Sequence, residues 1–146
     1  MRKRQKGFTL IEIMVVVVII GLLATLVLPR VLGRQEQAQI EKARADIQAL
    51  SSALKLYKLD NFNYPSTQQG LEALRREPSG DPPAKNWKQG GYIERLPTDP
   101  WGNDYQYLSP GQHGEFDLWS FGADGKPGGR DAAADIGNWD PDERQG

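Results

Sequence analysis

The sequence predicts an α+β chain in which a long N-terminal α-helix packs on a small antiparallel β-sheet domain. Three observations carry that prediction. Residues 13–28 are almost wholly aliphatic, although the mean hydropathy of the chain is −0.60. Between Ile40 and Tyr57 apolar residues recur at helical spacing. Beyond Asp60, short aromatic-rich stretches alternate with Gly, Pro and Asp. The divisions that follow are a basic leader (1–7), an apolar helix (8–29), an amphipathic stem (30–60) and a C-terminal domain (61–146).

Composition removes several function classes. Lys plus Arg number 18 against 19 for Asp plus Glu, a net charge of −1, whereas nucleic-acid modules carry a basic excess. The chain has no cysteine, so disulfides, thiolate metal sites and cysteine nucleophiles are excluded. A single histidine is too few for a His-rich zinc site.

The leader holds Arg2, Lys3, Arg4 and Lys6. The segment from Phe8 to Leu28 is 21 residues, about 30 Å of helix and one bilayer core. A basic region before an apolar run describes a cleaved signal peptide or a signal anchor. The bulky Leu26-Val27-Leu28-Pro29-Arg30-Val31 offers no small-x-small cleavage site, so hydropathy alone favours a plain anchor. Glu12 does not fit one, because a carboxylate within an apolar span is costly and marks function by default. A cut between Gly7 and Phe8 would create an α-amine able to neutralise Glu12, in the same chain or in a neighbour. Basic residues flank the run on both sides, with Arg30, Arg34, Lys42 and Arg44 after it, so the positive-inside count does not orient it.

Pro29 is expected to end or kink the helix. After it, Ile40, Ala43, Ile47, Leu50, Leu54 and Tyr57 follow at spacings of 3, 4, 3, 4 and 3. The intervening residues are mostly polar, which makes one apolar stripe suited to packing on the chain's own domain. Asp60-Asn61 and Pro65 supply the stop. Span plus stem would form a helix over 8–60, about 80 Å long.

In the C-terminal domain, Thr67 followed by Gln68 to Arg76 reads as a short capped helix. Tyr92-Ile93, Tyr105 to Leu108 and Phe116 to Ser120 read as short strands. Pro97 to Asn103 has turn chemistry, and His113 reads as a turn residue. Trp87, Trp101, Trp119 and Trp139 are expected in the core. The stretch from Phe121 to Asp131, followed by Asp135 and Asp140, combines carboxylates with glycines. Such a loop suits Ca²⁺, but the EF-hand spacing is absent and spacing alone favours a solvated acidic turn. For an enzyme, Trp119-Ser120-Phe121-Gly122 lacks the first glycine of a nucleophile elbow, and no spacing singles out a catalytic Asp pair.

The hexapeptide Gly7-Phe8-Thr9-Leu10-Ile11-Glu12 after a basic leader resembles the class III signal of type IV pilins and pseudopilins. Further stretches resemble the major pseudopilins of type II secretion systems: Tyr57 to Asn61, Tyr64 to Leu71, Asp99 to Asn103, Phe116 to Leu118, Gly122 to Gly125 and Asp135 to Trp139. The missing cysteines separate the chain from ordinary type IV pilins, and with the Asp99 and Gly122 stretches they argue against a minor pseudopilin.

The resemblance implies a pilin-like fold and a structural, non-enzymatic role. It implies cleavage between Gly7 and Phe8 by a prepilin peptidase, with N-methylation of Phe8. Loss of the four basic leader residues takes the net charge from −1 to −1 − 4 = −5. It implies that Glu12 aligns subunits of a homopolymeric periplasmic fibre that drives folded proteins across the outer membrane. The implied partners are further copies of the chain, minor pseudopilins, and an inner-membrane platform with its ATPase. The implied placement is single-pass in the inner membrane, N-terminus cytoplasmic and C-terminal domain periplasmic. It also implies structural Ca²⁺ held by the side chains of Asp124 and Asp131 and the backbone carbonyls of Phe121, Lys126 and Gly129. A signal-anchored periplasmic enzyme is the disfavoured alternative. Residues 140–146 run longer than the resemblance leads one to expect.

Overall fold

The computed structural model describes residues 5–139, with residues 27–32 described by their backbone alone. Arg2 to Arg4 of the leader, Asp140 and the rest of the tail lie outside the described residues. Helix α1 spans Leu10–Asn61, and strands β1 (Gln106–Leu108), β2 (Asp117–Ser120) and β3 (Ile136–Gly137) form one antiparallel sheet in the order β1-β2-β3. The chain divides into two compact units, Met1–Glu36 and Gln37–Gly146.

In the first unit α1 starts at a cap. The Glu12 N–H donates to the Thr9 hydroxyl at 3.3 Å, and the Ile13 N–H donates to the Thr9 carbonyl at 3.2 Å. Thr9 and Glu12 stand at the two positions of a capping box, so part of the hexapeptide serves helix initiation. The backbone stays helical through Pro29, which therefore does not end the helix. Among the described residues no helix is long and apolar enough to cross a membrane. The described side chains of the apolar run stop at Leu26, ahead of its end in the sequence at Leu28. Within the run the large apolar side chains are exposed all round the helix, from Phe8 and Leu10 through Ile19 and Ile20 to Leu26.

In the second unit the expected stripe is the floor of the core. Ala43, Ile47, Leu50, Leu54 and Tyr57 are buried, and Ile40 packs at the margin. Leu71, Leu74, Tyr105, Phe116, Leu118 and Ile136 cover it. The Tyr57 hydroxyl is buried without a hydrogen-bond partner, and burial, with Tyr92 nearby, pushes its pKa up to about 12. The sheet is tied to the helix by the Tyr105 hydroxyl, which donates to Asp46 Oδ2 at 2.8 Å. The helix ends at Asn61, where Phe62 takes a left-handed conformation (φ 67°) and its N–H donates to the Lys58 carbonyl. The buried Asn61 amide secures this end: it donates to Tyr57 O and Tyr92 Oη and accepts the Asn86 N–H.

Several local expectations are corrected. Residues 67–76 form only a 3-10 turn, Leu71–Leu74, without a side-chain cap. The Thr67 hydroxyl instead bridges to the backbone of Ser109, and Gln69 reaches the carbonyls of Ser79, Gly80 and Pro82. Tyr92-Ile93 is not a strand, because both N–H groups go to the single carbonyl of Leu74. β3 lies outside the strands that the sequence predicts, and the Asn138 side chain extends its pairing by accepting the Leu118 N–H and donating to the Phe116 carbonyl. None of the four tryptophans is fully buried. Trp87 and Trp101 pack against the core, while Trp119 and Trp139 lie against each other with ring centroids 5.9 Å apart.

The turn before β2 winds around one carboxylate. Asp117, 2% exposed, accepts the N–H groups of Gln112 and His113 and contacts His113 Nδ1 at 2.9 Å. A Cβ at Gly111 would lie 2.6 Å from Asp117 Oδ1, so the turn closes only with glycine there. The His113 ring stacks on Trp139 at 4.1 Å. Burial raises the Asp117 pKa, but the hydrogen bonds from His113 and the two backbone N–H groups outweigh it and leave the carboxyl below its ordinary value. A depressed folded-state pKa stabilises the fold above the ordinary carboxylate value, and that contribution disappears as pH falls through the folded value. Asp117→Asn is therefore expected to flatten the decline of melting temperature as pH falls below about 4. Parallel melting curves for variant and wild type across that range would show that Asp117 contributes nothing to acid sensitivity.

Candidate functional site

Two regions hold the residues singled out by sequence. In the first, Gly7 and Phe8 lie in irregular, exposed backbone just ahead of α1, with Glu12 exposed in its first turn. A Cβ at Gly7 would meet nothing within 4 Å, and Gly7 is not left-handed. The fold itself therefore gives no reason for glycine at that position. Glu12 lies in an apolar groove with Phe8, Ile13, Val16 and Val17.

The second region is the loop from Phe121 to Asp135. It contains two 3-10 turns, Gly122–Asp124 and Asp131–Ala133, which pack on each other. Gly122, Gly125, Gly128 and Gly129 are all left-handed. At Gly122 and Gly129 there is also no room for a side chain. A Cβ would stand 2.5 Å from the Ala134 carbonyl in the first case and 2.2 Å from the Ala133 carbonyl in the second. Asp131 holds φ 53°, a conformation that L-residues rarely adopt.

After the half-buried Phe121, the residues Asp124, Lys126, Gly129 and Asp131 are exposed along this loop. Asp124 Oδ1 accepts the Lys126 N–H at 3.1 Å. The Asp131 carboxylate has no hydrogen-bond or ion-pair partner among the described residues. Asp135, which the sequence placed beside the loop without a role, closes it. Its Oδ2 accepts the Gly128 N–H at 3.1 Å, while its Oδ1 is buried without a partner. Its position directly before Ile136-Gly137-Asn138-Trp139 was the available signal.

Among the described residues no group of three or more His, Cys, Asp or Glu side chains could hold a metal. A cation in this loop would therefore need backbone carbonyls as well as carboxylates. That donor set fits Ca²⁺, which takes six to eight oxygens of mixed origin. The Asp131 carboxylate, unpartnered among the described residues, is the local feature that a divalent cation in this loop would satisfy.

A cleft of about 360 Å³ elsewhere is lined by Ser51, His113 and Asp117, the residue types of a hydrolase triad. They are not joined as one. Ser51 Oγ has no hydrogen-bond partner, and the His113–Asp117 contact closes the turn described above.

Comparison with known proteins bears on both regions. The family described as Type II secretion system (T2SS), protein G, matches residues 30–139, and the prokaryotic N-terminal methylation motif matches residues 2–28. The type II secretion system core protein G of Pseudomonas aeruginosa is 64% identical over 139 residues, covering 95% of this chain and 98% of its own. That of Vibrio cholerae is 58% identical over 137 residues, covering 94% and 93%. The crystal structure of the major pseudopilin from the type 2 secretion system of enterohaemorrhagic Escherichia coli superposes with a TM-score of 0.66 at 49% identity, covering 74% of this chain and 92% of that one. With a family match over most of its length and relatives this similar from end to end, the chain belongs to the type II secretion system protein G family.

Proposed function

We propose that the chain is the major subunit of a type II secretion pseudopilus, a structural rather than catalytic protein. The observation that carries this reading is the exposed, all-round apolar surface of residues 8–26, preceded by the Gly7-Phe8 pair. A helix apolar on every side requires burial, in a bilayer or among like helices. Membership of the protein G family supports both, in turn: an inner-membrane anchor with the C-terminal domain in the periplasm, then a fibre. The partners of this reading are further copies of the chain, minor pseudopilins, an assembly platform with its ATPase, and a prepilin peptidase.

Processing would take place between Gly7 and Phe8. Glycine there has no packing role, so its requirement falls on the enzyme that cuts the bond. The new amine on Phe8 would stand one helical turn from Glu12. Paired with Glu12 of a neighbouring subunit, it would turn a costly carboxylate into a device that fixes axial register.

Structural calcium in the loop 121–131 completes the reading. Asp124 and Asp131 would supply carboxylates, and Phe121, Lys126 and Gly129 carbonyls. The domain has short strands and no disulfide, so a cation bound only by the folded loop would stabilise it by mass action.

Three measurements test these statements. The N-terminal peptide of protein recovered from its host's membranes is expected to start at Phe8 and carry one extra methyl group; retention of Lys6 would overturn the fibre-subunit reading. Glu12→Ala is expected to insert in the membrane yet form few fibres, and normal fibres would remove its register role. Excess EDTA is expected to lower the melting temperature of the wild type and leave Asp124→Ala/Asp131→Ala unaffected. A wild-type melting temperature indifferent to EDTA would dispose of the calcium site.

A further inference from the structure

Beneath the acidic loop lies the turn Asp99-Pro100-Trp101-Gly102-Asn103, closed by a bridge between Thr98 and Asp104. Its organiser is Asp99, 3% exposed. Oδ1 accepts the N–H groups of Trp101 at 3.1 Å and Asn103 at 2.8 Å. Oδ2 accepts the hydroxyl of Ser120, itself fully buried, at 2.7 Å. The Ser120 oxygen in turn accepts the Gly122 N–H at 3.1 Å. Asp99 has no Lys or Arg partner among the described residues, so N–H and O–H dipoles alone compensate a buried charge.

The last link sets a direction. The Gly122 N–H and the Phe121 carbonyl belong to one planar trans peptide and point to opposite sides. Donation of that N–H to Ser120 therefore turns the Phe121 carbonyl away from the Asp99 turn. The same turn meets the loop a second time: a Cβ built on Gly125 would lie 3.3 Å from the Asn103 amide nitrogen. The backbone of Asn103 is itself held by Asp99. One carboxylate thus governs two points of the loop, on either side of Asp124.

We propose that Ser120, oriented by Asp99, is a positioning residue for calcium: it aims the Phe121 carbonyl and pre-forms the loop from beneath without touching the ion. The proposal rests on the calcium reading above. It links the turn at Asp99 to a loop remote from it in sequence. It also gives the buried carboxylate a cation across the relay.

The test is calcium titration calorimetry on the full chain in detergent micelles after removal of bound metal. Wild type is compared with Ser120→Ala and with Ile47→Val, a mild core change on the stem helix. Ser120→Ala is expected to bind one calcium about 10- to 100-fold more weakly, the usual loss for an outer-shell partner. Ile47→Val is expected to keep the wild-type Kd while its metal-free melting temperature falls. Equal Kd values for Ser120→Ala and wild type would overturn the relay alone. Equal weakening in Ile47→Val would reduce it to a general stability effect and likewise overturn it. Absence of binding in the wild type would overturn the calcium site and the relay together. If Ser120→Ala does not fold, Asp99→Asn tests the relay from its other end: it exchanges the acceptor of the Ser120 hydroxyl for an amide. The same weakening is expected, and an unchanged Kd would refute the proposal.

Discussion

Burial of one helical face, from Ala43 to Tyr57, is the constraint on which the rest of the second unit depends. The strands are two to four residues long, too short to make a self-supporting sheet. Their apolar residues gain a dry environment only against the helix, and three side-chain contacts tie the rest of the domain back to it. Tyr105 reaches Asp46, Tyr92 reaches Asp60, and Lys58 pairs with Glu115. The stem is thus the largest element of its own domain and the template for everything after Asn61.

Between these apolar contacts, single polar side chains do the work that disulfides do in many small domains. Asn61, Gln69, Asp99, Asp117 and Asn138 each bond the backbone or a distant side chain at two or more points. All five are buried or half-buried, where a satisfied polar group is rigid and an unsatisfied one is expensive. The stretches by which the chain resembles major pseudopilins contain all five of these side chains. Family resemblance and loop architecture therefore have the same residues as their cause.

The two compact units differ in kind. The second closes its own core. The first leaves aliphatic side chains uncovered, with one carboxylate among them and a capped start at Thr9. A chain with one finished and one unfinished surface is physically a component, and membership of the protein G family gives that incompleteness its use. Glu12 shows how one residue meets two demands: at the third helical position it suits the cap, and in an apolar setting it calls for a cationic partner.

What the sequence determined by itself is whatever depends on period or on a long run. The stem stripe, β1 and β2, the turn at Asp99 and the apolar segment were legible because burial imposes its spacing directly on residue type. The processing motif and the composition of the acidic loop were legible as resemblance. Only the tertiary structure decided the rest. Two residues carry no period, so β3 could not be read before Asn138 was seen completing its ladder. Tyr92-Ile93 has strand chemistry, yet its N–H groups are claimed by Leu74 O. Gln68 to Arg76 has helical content, yet Gln69 is spent on the loop at Ser79 to Pro82. The tryptophans are large enough for a core already filled by smaller residues on the helix, and so they line its edge. In each case a hydrogen bond or a packing space supplied from far along the chain outweighed the local preference, and a local reading contains neither.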